Sequence, residues 1–404
     1  MLRAGLPGAA GRLEIANQAS WRHELGPVSA LAAPTRPYGR TAMTLRNMSL
    51  RLIPLANRPR RVDLAHLRVI DLADWTLRGI SQVVFQNNRL TGLVILGAIA
   101  YNSGTYAVSC VLGTVAATLT AILLRADRGQ ISAGLFGYNG ALLGIGLNAY
   151  LSADFTAGQY PDWRLYLYIV FGAAFTTVVA SALFSVLGLF KVPALTAPFV
   201  LVGWLFIFAV LRFGQFHAGP QLAPALPMHF TGAQHYTWTT WYQGTGKGIG
   251  EIFLQDNWIT GYAILFGIFI NTRVGASMCL LAAVLAVGTG IVLGAPEHTV
   301  RLGLLGFNAC LTAIALGGVF FVLSWRDFIY TVFGVMVTIW VWAAVNVLLS
   351  PIGMPTLTSP FVIVGLFMLL AKGDFAGLVP IAPSDATTPE QNYRRWVRSR
   401  IAVR

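Results

Sequence analysis

Charged side chains are scarce in this sequence. They make up 11% of its 404 residues, whereas soluble domains usually carry about 25%. Runs of 20 residues or more have no charge at all, among them 90–124, 274–295 and 328–371. Such runs are long enough to cross a bilayer as helices, and their unbroken apolar character excludes the alternating pattern of a membrane β-barrel. The shortage of charge therefore predicts an all-α membrane protein.

Cysteine is also rare. Cys110, Cys279 and Cys310 all lie in apolar runs, which is typical of small buried residues and of neither a disulfide framework nor a metal site. The apolar part has no His, Cys or carboxylate cluster with catalytic spacing, and the GTGKG stretch at 244–248 lacks the spacing of a phosphate-binding loop. We therefore expect no catalytic residue, no metal, no cofactor and no enzymatic activity, with a membrane enzyme or sensor as the least favoured alternative.

Positive charge is concentrated at the two ends. Residues 1–68 hold eleven Arg against three acids, and the last fifteen residues hold five Arg against Glu390. Basic flanks of membrane segments stay inside, so we expect an integral plasma (inner) membrane protein with both termini cytoplasmic. The ends lack the aromatic interleaving of a nucleic-acid-binding surface. Residues 1–45 resemble a transit peptide in composition; the favoured alternatives are a disordered tail or a start at Met43 or Met48.

Three blocks of sequence occur twice in the same order. GISQVVFQNNRLTG (79–92) matches GIGEIFLQDNWITG (248–261), and GLFGYNGALLGIGL (134–147) matches GLLGFNACLTAIAL (303–316), both at an offset of 169. VPALTAPFVLVG (192–203) matches MPTLTSPFVIVG (354–365) at an offset of 162. A register kept over this distance indicates two copies of one structural unit.

An odd number of spans in each copy would turn the second copy upside down. We count five candidate spans per copy, roughly 90–102, 105–124, 134–151, 165–190 and 194–211, then 259–271, 274–294, 303–323, 326–349 and 357–371. Inverted repeats place a binding site near the membrane midplane, between the copies. The predicted domains are a basic cytoplasmic tail (1–68), repeat 1 (69–211), an extracellular or periplasmic linker (212–247), repeat 2 (248–375) and a second basic cytoplasmic tail (376–404).

The first block contains the most informative acid. A short helix carrying Gln82 or Glu251 ends in a polar turn, which predicts a re-entrant half-helix or, alternatively, a juxtamembrane amphipathic helix. An acid within the membrane part suggests function, although Glu251 could instead pair with Lys247 or Arg273. Because the equivalent Gln82 is neutral, this pair favours a neutral polar solute over a proton relay.

The second and third blocks offer paired residues. Thr196 and Thr358 precede Pro198 and Pro360, so each threonine could simply cap a helix. An inverted repeat would instead bring the two hydroxyls together at its twofold axis, where they would form a polar site at the membrane centre. In the second block, Tyr138 and Phe307 are followed one helical turn later by Leu142 and Leu311, and ordinary helix packing is the alternative for these four.

These doubled motifs resemble the urea transporter family over about residues 70–380. The resemblance implies a homotrimer in lipid with one pore per protomer, and each repeat would have about five spanning helices plus a re-entrant half-helix. It further implies passive, selective passage of urea. Proton- or ion-coupled transport of urea or a small amide is the alternative.

The resemblance also implies which residues line the pore. Polar pore residues are Gln82 and Glu251, the hydroxyls at the centre are Thr196 and Thr358, and apolar residues at the constriction are Val83 and Ile252. Phe85 and Tyr138 would wall one slot, and Leu254, Phe307, Leu142 and Leu311 the other. Ser81, Val84, Arg89 and Tyr138 depart from the residues usual in the family, and Leu254 lacks the ring that Phe85 has, so unequal mouths are expected.

Overall fold

The computed structural model describes residues 67–152, 162–213, 219, 222–227 and 232–402, all within one compact unit, Arg58–Arg404. The predicted tail 1–68 lies outside the described residues except for its last two positions. No strand occurs in the described ranges, which include an isolated bridge between Phe321 and Pro380. The predicted all-α membrane class is confirmed.

The helices follow the same order in both copies. In the first copy, α1 to α7 are Val69–Gln82, Arg89–Asn102, Gly104–Leu123, Arg128–Ser132, Gly137–Leu151, Trp163–Leu187 and Ala197–Val210. In the second, α8 to α14 are Trp238–Gly250, Trp258–Asn271, Arg273–Val292, Glu297–Arg301, Gly306–Ile314, Trp325–Leu349 and Ser359–Leu370. A basic helix, α15 (Pro389–Ala402), follows. The first five helix starts of each copy differ by 169 residues and the last two by 162, as the sequence blocks do.

Long and short helices have different roles. Among the described residues, five helical segments are long and apolar enough to cross a membrane, at Gly104–Leu123, Trp163–Phe190, Arg273–Val292, Glu297–Val319 and Trp325–Ile352. By contrast, α2 and α7 have 14 residues each, about 21 Å at 1.5 Å per residue, which is less than a hydrocarbon core of about 30 Å. The short runs counted as spans in the sequence are therefore short helices that do not cross the core alone.

A sharp break follows the first helix of each copy. The axes of α8 and α9 differ by 69°, and the turn contains Leu254 at φ 54°, matching Phe85 at φ 60° in the first copy. Gln86 and Gln255 close the two turns by donating to the carbonyls of Val84 and Phe253. Both helices thus stop at the polar turn predicted from the first block.

Helices α2 and α9 show directly that the copies are inverted. The Thr91 hydroxyl donates to Gly267 O (2.8 Å), and the equivalent Thr260 donates to Ala98 O (3.3 Å). The start of each helix therefore lies at the end of the other, so equivalent helices run antiparallel. This reciprocity is the mark of a twofold axis, and the axis is perpendicular to the two helices.

The second copy begins earlier and ends later than its predicted limits. Helix α8 starts at Trp238, within the predicted linker, and a capping box of Thr237 and Thr240 fixes its start. At the other end, residues 379–402 return to the irregular end of α12, where Asn392 Nδ2 donates to Gly318 O (2.8 Å). Gly318 has φ 119°, and a Cβ there would lie 2.5 Å from Pro389. Much of the predicted C-terminal tail is therefore packed against repeat 2.

Candidate functional site

Two threonine hydroxyls meet where the copies join. Thr196 Oγ1 and Thr358 Oγ1 lie 2.6 Å apart, and the residues are 1% and 3% exposed. Each threonine stands at a helix start, but neither side chain makes a capping hydrogen bond. The capping alternative is therefore wrong for these side chains, because each hydroxyl is engaged with its symmetry equivalent instead.

Two asparagines, rather than the threonines, cap these helices. Asn139 Oδ1 accepts from the Phe199 N–H and Asn308 Oδ1 from the Phe361 N–H, both at 3.1 Å. These bonds satisfy amides in the first turns of α7 and α14, which have no partner inside their own helices. This role was not predicted from the sequence, although a signal was present, because the asparagine of the second block occurs in both copies.

The carbonyls before the threonines are held differently in the two copies. Leu195 and Leu357 both have left-handed backbones, at φ 50° and 49°. Asn308 Nδ2 donates to Leu357 O (3.2 Å), whereas Leu195 O accepts from the Tyr138 hydroxyl (2.5 Å). Among the described residues, the buried Nδ2 of Asn139 consequently has no partner. The tyrosine hydroxyl thus replaces the asparagine amide at this point of the site.

Gln82 and Glu251 also sit at equivalent positions with different bonding. Gln82 Nε2 donates to Ala133 O (2.8 Å), which leaves the side-chain oxygen as its free acceptor. Glu251 faces a cavity beside Leu302, the equivalent of Ala133. A carboxylate has no N–H for that carbonyl.

Glu251 is not part of an ion pair in the described chain. Lys247 Nζ lies 2.5 Å from Asp256, and the Arg273 guanidinium lies 5.8 Å from the centre of the Phe269 ring. The alternative in which Glu251 is a structural partner of either cation is therefore wrong. Glu251 lines an open cavity instead.

That space is a cavity of about 610 Å³ that extends from Asp256 to Thr358. Five of the predicted site residues line it: Glu251, Ile252, Leu254, Phe307 and Thr358. The lining residues that were not predicted from the sequence include Tyr106, Tyr150, Trp342 and Asn346. Tyr150 and Trp342 contribute aromatic rings to the cavity that Leu254 also lines.

The predicted residues of the other half lie in denser packing. The Phe85 ring meets the rings of Phe320 (5.6 Å) and Phe361 (6.0 Å) edge-on, while Val83 is 1% exposed. Leu142 and Leu311 are fully buried in the core, and neither lines the cavity. Phe320 was missed because it reaches this place through the π-helical turn Ala315–Val319, which has no counterpart in the first copy.

Comparison with known proteins supplies an independent finding. A sequence model described as Urea transporter matches residues 73–373. The chain is similar to urea transporter 1 of Ovis aries, with 32% identity over 340 residues that cover 82% of this chain and 85% of the relative. Urea transporter 1 of Rattus norvegicus is also 32% identical, over 344 residues that cover 83% and 86%.

Proposed function

This chain belongs to the urea transporter family, and we propose that it is a urea channel in which urea passes, without energy coupling, between the two inverted copies and past the threonine pair. The observation that supports this route is the contact of Thr196 with Thr358 at the end of a cavity. A site on the twofold axis has similar surroundings on both sides, which suits a molecule that enters from either side.

The chemistry of the surrounding groups suits urea. Urea is flat, with four N–H donors and one carbonyl acceptor, so it needs acceptors along its edges and apolar walls against its faces. Thr hydroxyls, the free oxygen of Gln82 and the carboxyl group of Glu251 supply acceptors. Phe85, Leu254 and Phe307 supply apolar walls. An ion that gives up its hydration shell gains few favourable interactions with such walls, so its entry is costly.

We propose that both termini lie in the cytoplasm and that the membrane is the plasma (inner) membrane. The Asn88–Asn271 hydrogen bond joins the starts of α2 and α10, and Glu390 of α15 bonds to the same end of α10. That end carries Arg273, which forms no ion pair within the described residues, and the arginines of α15, whereas Lys247 at the opposite end is paired with Asp256. The excess of basic residues favours the cytoplasm on the α15 side. A cysteine introduced in α15 tests this orientation. If a membrane-impermeant thiol reagent labelled that cysteine on intact cells, the orientation would be contradicted.

The family also suggests a homotrimer with one pathway per protomer. A measured protein mass of one or two chains in detergent, after subtraction of the micelle, would contradict it. We further propose that the protein transports urea without converting it, and urea turnover by the purified protein would overturn that proposal.

Removal of the threonine hydroxyls tests the route. We expect Thr196→Val and Thr358→Val each to slow urea flux severalfold, since one lost hydrogen bond plus one unpaired buried hydroxyl costs about 1–3 kcal/mol. Stopped-flow flux in proteoliposomes measures this, with Thr196→Ser and Thr358→Ser as variants that keep the hydroxyl.

Thr114→Val is the matched control, because Thr114 is also fully buried but bonds only within its own helix, to Cys110 O. Wild-type flux in both valine variants at the central site would remove the threonine pair from the route. Equal slowing in Thr114→Val would assign the effect to general packing.

A further inference from the structure

Helix α15 has an exposed face of mixed apolar and basic character. Tyr393, Val397 and Ile401 recur at intervals of four residues, so they form one stripe along the helix. Tyr393 is 48% exposed and Ile401 69% exposed. Val397, between them, is half-buried, as is Trp396, while Asn392 on another side of the helix is buried. The Tyr393 and Trp396 rings lie 5.8 Å apart, so this chain covers the Asn392 side of the helix and leaves much of the apolar surface around Tyr393 and Ile401 uncovered.

Arginines flank the exposed stripe on both sides. At 100° per residue, Arg394 and Arg398 project beside one edge of the stripe and Arg400 beside the other. All three are exposed, and Arg400 lies 4.4 Å from the centre of the Trp396 ring. Within the described residues, none of them forms an ion pair. The one acid of the helix, Glu390, is engaged elsewhere.

The anchoring of α15 places this face at the end of a membrane-spanning helix. The Glu390 carboxylate accepts from the Thr272 hydroxyl (2.8 Å) and from the Val274 N–H (3.0 Å) at the start of α10, a 20-residue apolar span. Asn392 fixes the same turn of α15 to the end of α12 through Gly318 O and Val319 O. Both contacts hold the helix where a span leaves the hydrocarbon.

We propose that α15 is a binding surface for anionic phospholipid headgroups. Tyr393, Val397 and Ile401 enter the boundary between headgroups and acyl chains, while Arg394, Arg398 and Arg400 bind lipid phosphates above it. An amphipathic helix with an apolar stripe and basic flanks has this preference, and long arginine side chains reach the headgroups from its edges. The arginines complement the negative charge of lipid phosphates, and the helix lies at the end of a membrane span. Both features favour the membrane surface over a soluble acidic partner.

A short series of contacts links α15 to the candidate site. Asn392 holds Gly318 and Val319, and the next residue, Phe320, packs edge-on against Phe85. Phe85 is one of the residues proposed for the urea pathway. The lipid surface does not depend on that proposal, because the helix and its arginines would bind headgroups whatever the channel carries.

Hydrogen exchange of the full-length protein tests the lipid surface. The purified chain in an uncharged detergent is titrated with short-chain phosphatidylglycerol, with short-chain phosphatidylcholine as the neutral reference, and exchange of peptides covering 389–402 is followed by mass spectrometry. We expect protection by phosphatidylglycerol only. In Arg394→Gln/Arg398→Gln the midpoint of the titration should rise about 25-fold, since each arginine near a headgroup layer contributes about fivefold.

Arg125→Gln/Arg128→Gln is the matched control, because it removes the same charge from exposed positions between α3 and α5. This control should leave the midpoint unchanged, while Ile401→Ser should raise it severalfold by weakening the apolar stripe. Three results would overturn the proposal: equal protection by phosphatidylcholine, a control that loses as much protection as the α15 variant, or protection by inorganic phosphate alone, which would assign the surface to a soluble anion.

Discussion

At the scale of single residues, the two copies use the same backbone for slightly different chemistry. Asn139 and Asn308 cap equivalent helices with the same 3.1 Å bond, yet only Asn308 also holds the neighbouring leucine carbonyl. In the first copy the Tyr138 hydroxyl takes that carbonyl. A single extra oxygen atom, present in tyrosine and absent from phenylalanine, therefore makes the two halves of the site unequal.

The difference between Gln82 and Glu251 leads to a test of coupling. We expect Glu251→Gln to conduct urea within about twofold of wild type, because the new amide can donate to Leu302 O as Gln82 does to Ala133 O and still present its oxygen. Glu251→Leu removes the acceptor and should slow flux by about tenfold, the effect of about 1.4 kcal/mol.

Stopped-flow flux with and without an imposed pH gradient is the measurement. In wild type and in Glu251→Gln, the urea flux should be the same at either sign of the gradient. A wild-type flux that follows the pH gradient, and loses this dependence in Glu251→Gln, would instead support proton-coupled transport.

At the scale of helices, close contacts depend on small residues. Gly113 of α3 meets α5 so tightly that an added Cβ would lie 2.1 Å from Gly140 O. We therefore expect Gly113→Ala to lower the free energy of unfolding by about 1–3 kcal/mol, the usual effect of overpacking. Thermal unfolding in detergent, followed by size-exclusion chromatography, measures this.

Gly97 of α2 supplies the comparison, since nothing lies within 4 Å of its added Cβ. Alanine is the better helix former, so Gly97→Ala should be neutral or slightly stabilising. Equal loss of stability in the two variants would show that α3 and α5 are not in this close contact.

The junction between α15 and α10 should respond to acid. Partial burial raises the pKa of Glu390, but hydrogen bonds from the Val274 N–H, from its own backbone N–H and from Thr272 outweigh it and leave the pKa below its usual range. A carboxyl group with a lowered pKa stabilises the fold above its unfolded value of about 4.3, and this contribution disappears as pH falls through the lower folded value.

The variant Glu390→Gln makes this visible. At pH 7 it should be less stable than wild type by about 1 kcal/mol, because a charge-assisted acceptor becomes neutral. The difference in thermal midpoint should persist down to about pH 4.3 and shrink below it. A difference that is unchanged between pH 7 and pH 3 would contradict the assignment.

At the same scale, the elements that occur in both copies were predicted from the sequence, and the elements that occur in one copy only were not. The offsets of 169 and 162 anticipated the helix starts of the second copy, because equal sequences at equal spacing fold alike. The threonine contact followed from the same logic. Phe320 and α15 could not be predicted this way, since the π-helical turn with Gly317 and Gly318 and the return of residues 379–402 occur in one copy only. Tyr150 and Trp342 were missed because nothing local in the sequence brings them to the cavity that Glu251 lines.

At the scale of the whole molecule, the inversion of the two copies would let one site on the proposed route serve both sides of the membrane. The reciprocal bonds of Thr91 and Thr260 make α2 and α9 antiparallel, so the approach from one side repeats the approach from the other. In the proposed route, the threonine pair lies where these approaches meet. The two approaches differ in detail, since Phe85 contacts Phe320 in one half, while Leu254 borders an open cavity in the other. A pathway of this form needs no energy source, because its central site need not change between the two directions.

The most direct test of this account is urea flux through the wild-type protein in proteoliposomes, measured by stopped-flow light scattering. Flux should exceed that of empty vesicles, increase with the urea gradient, be equal in the two directions and be unaffected by imposed proton or sodium gradients. Flux equal to that of empty vesicles, or accumulation of urea against its gradient, would contradict the account.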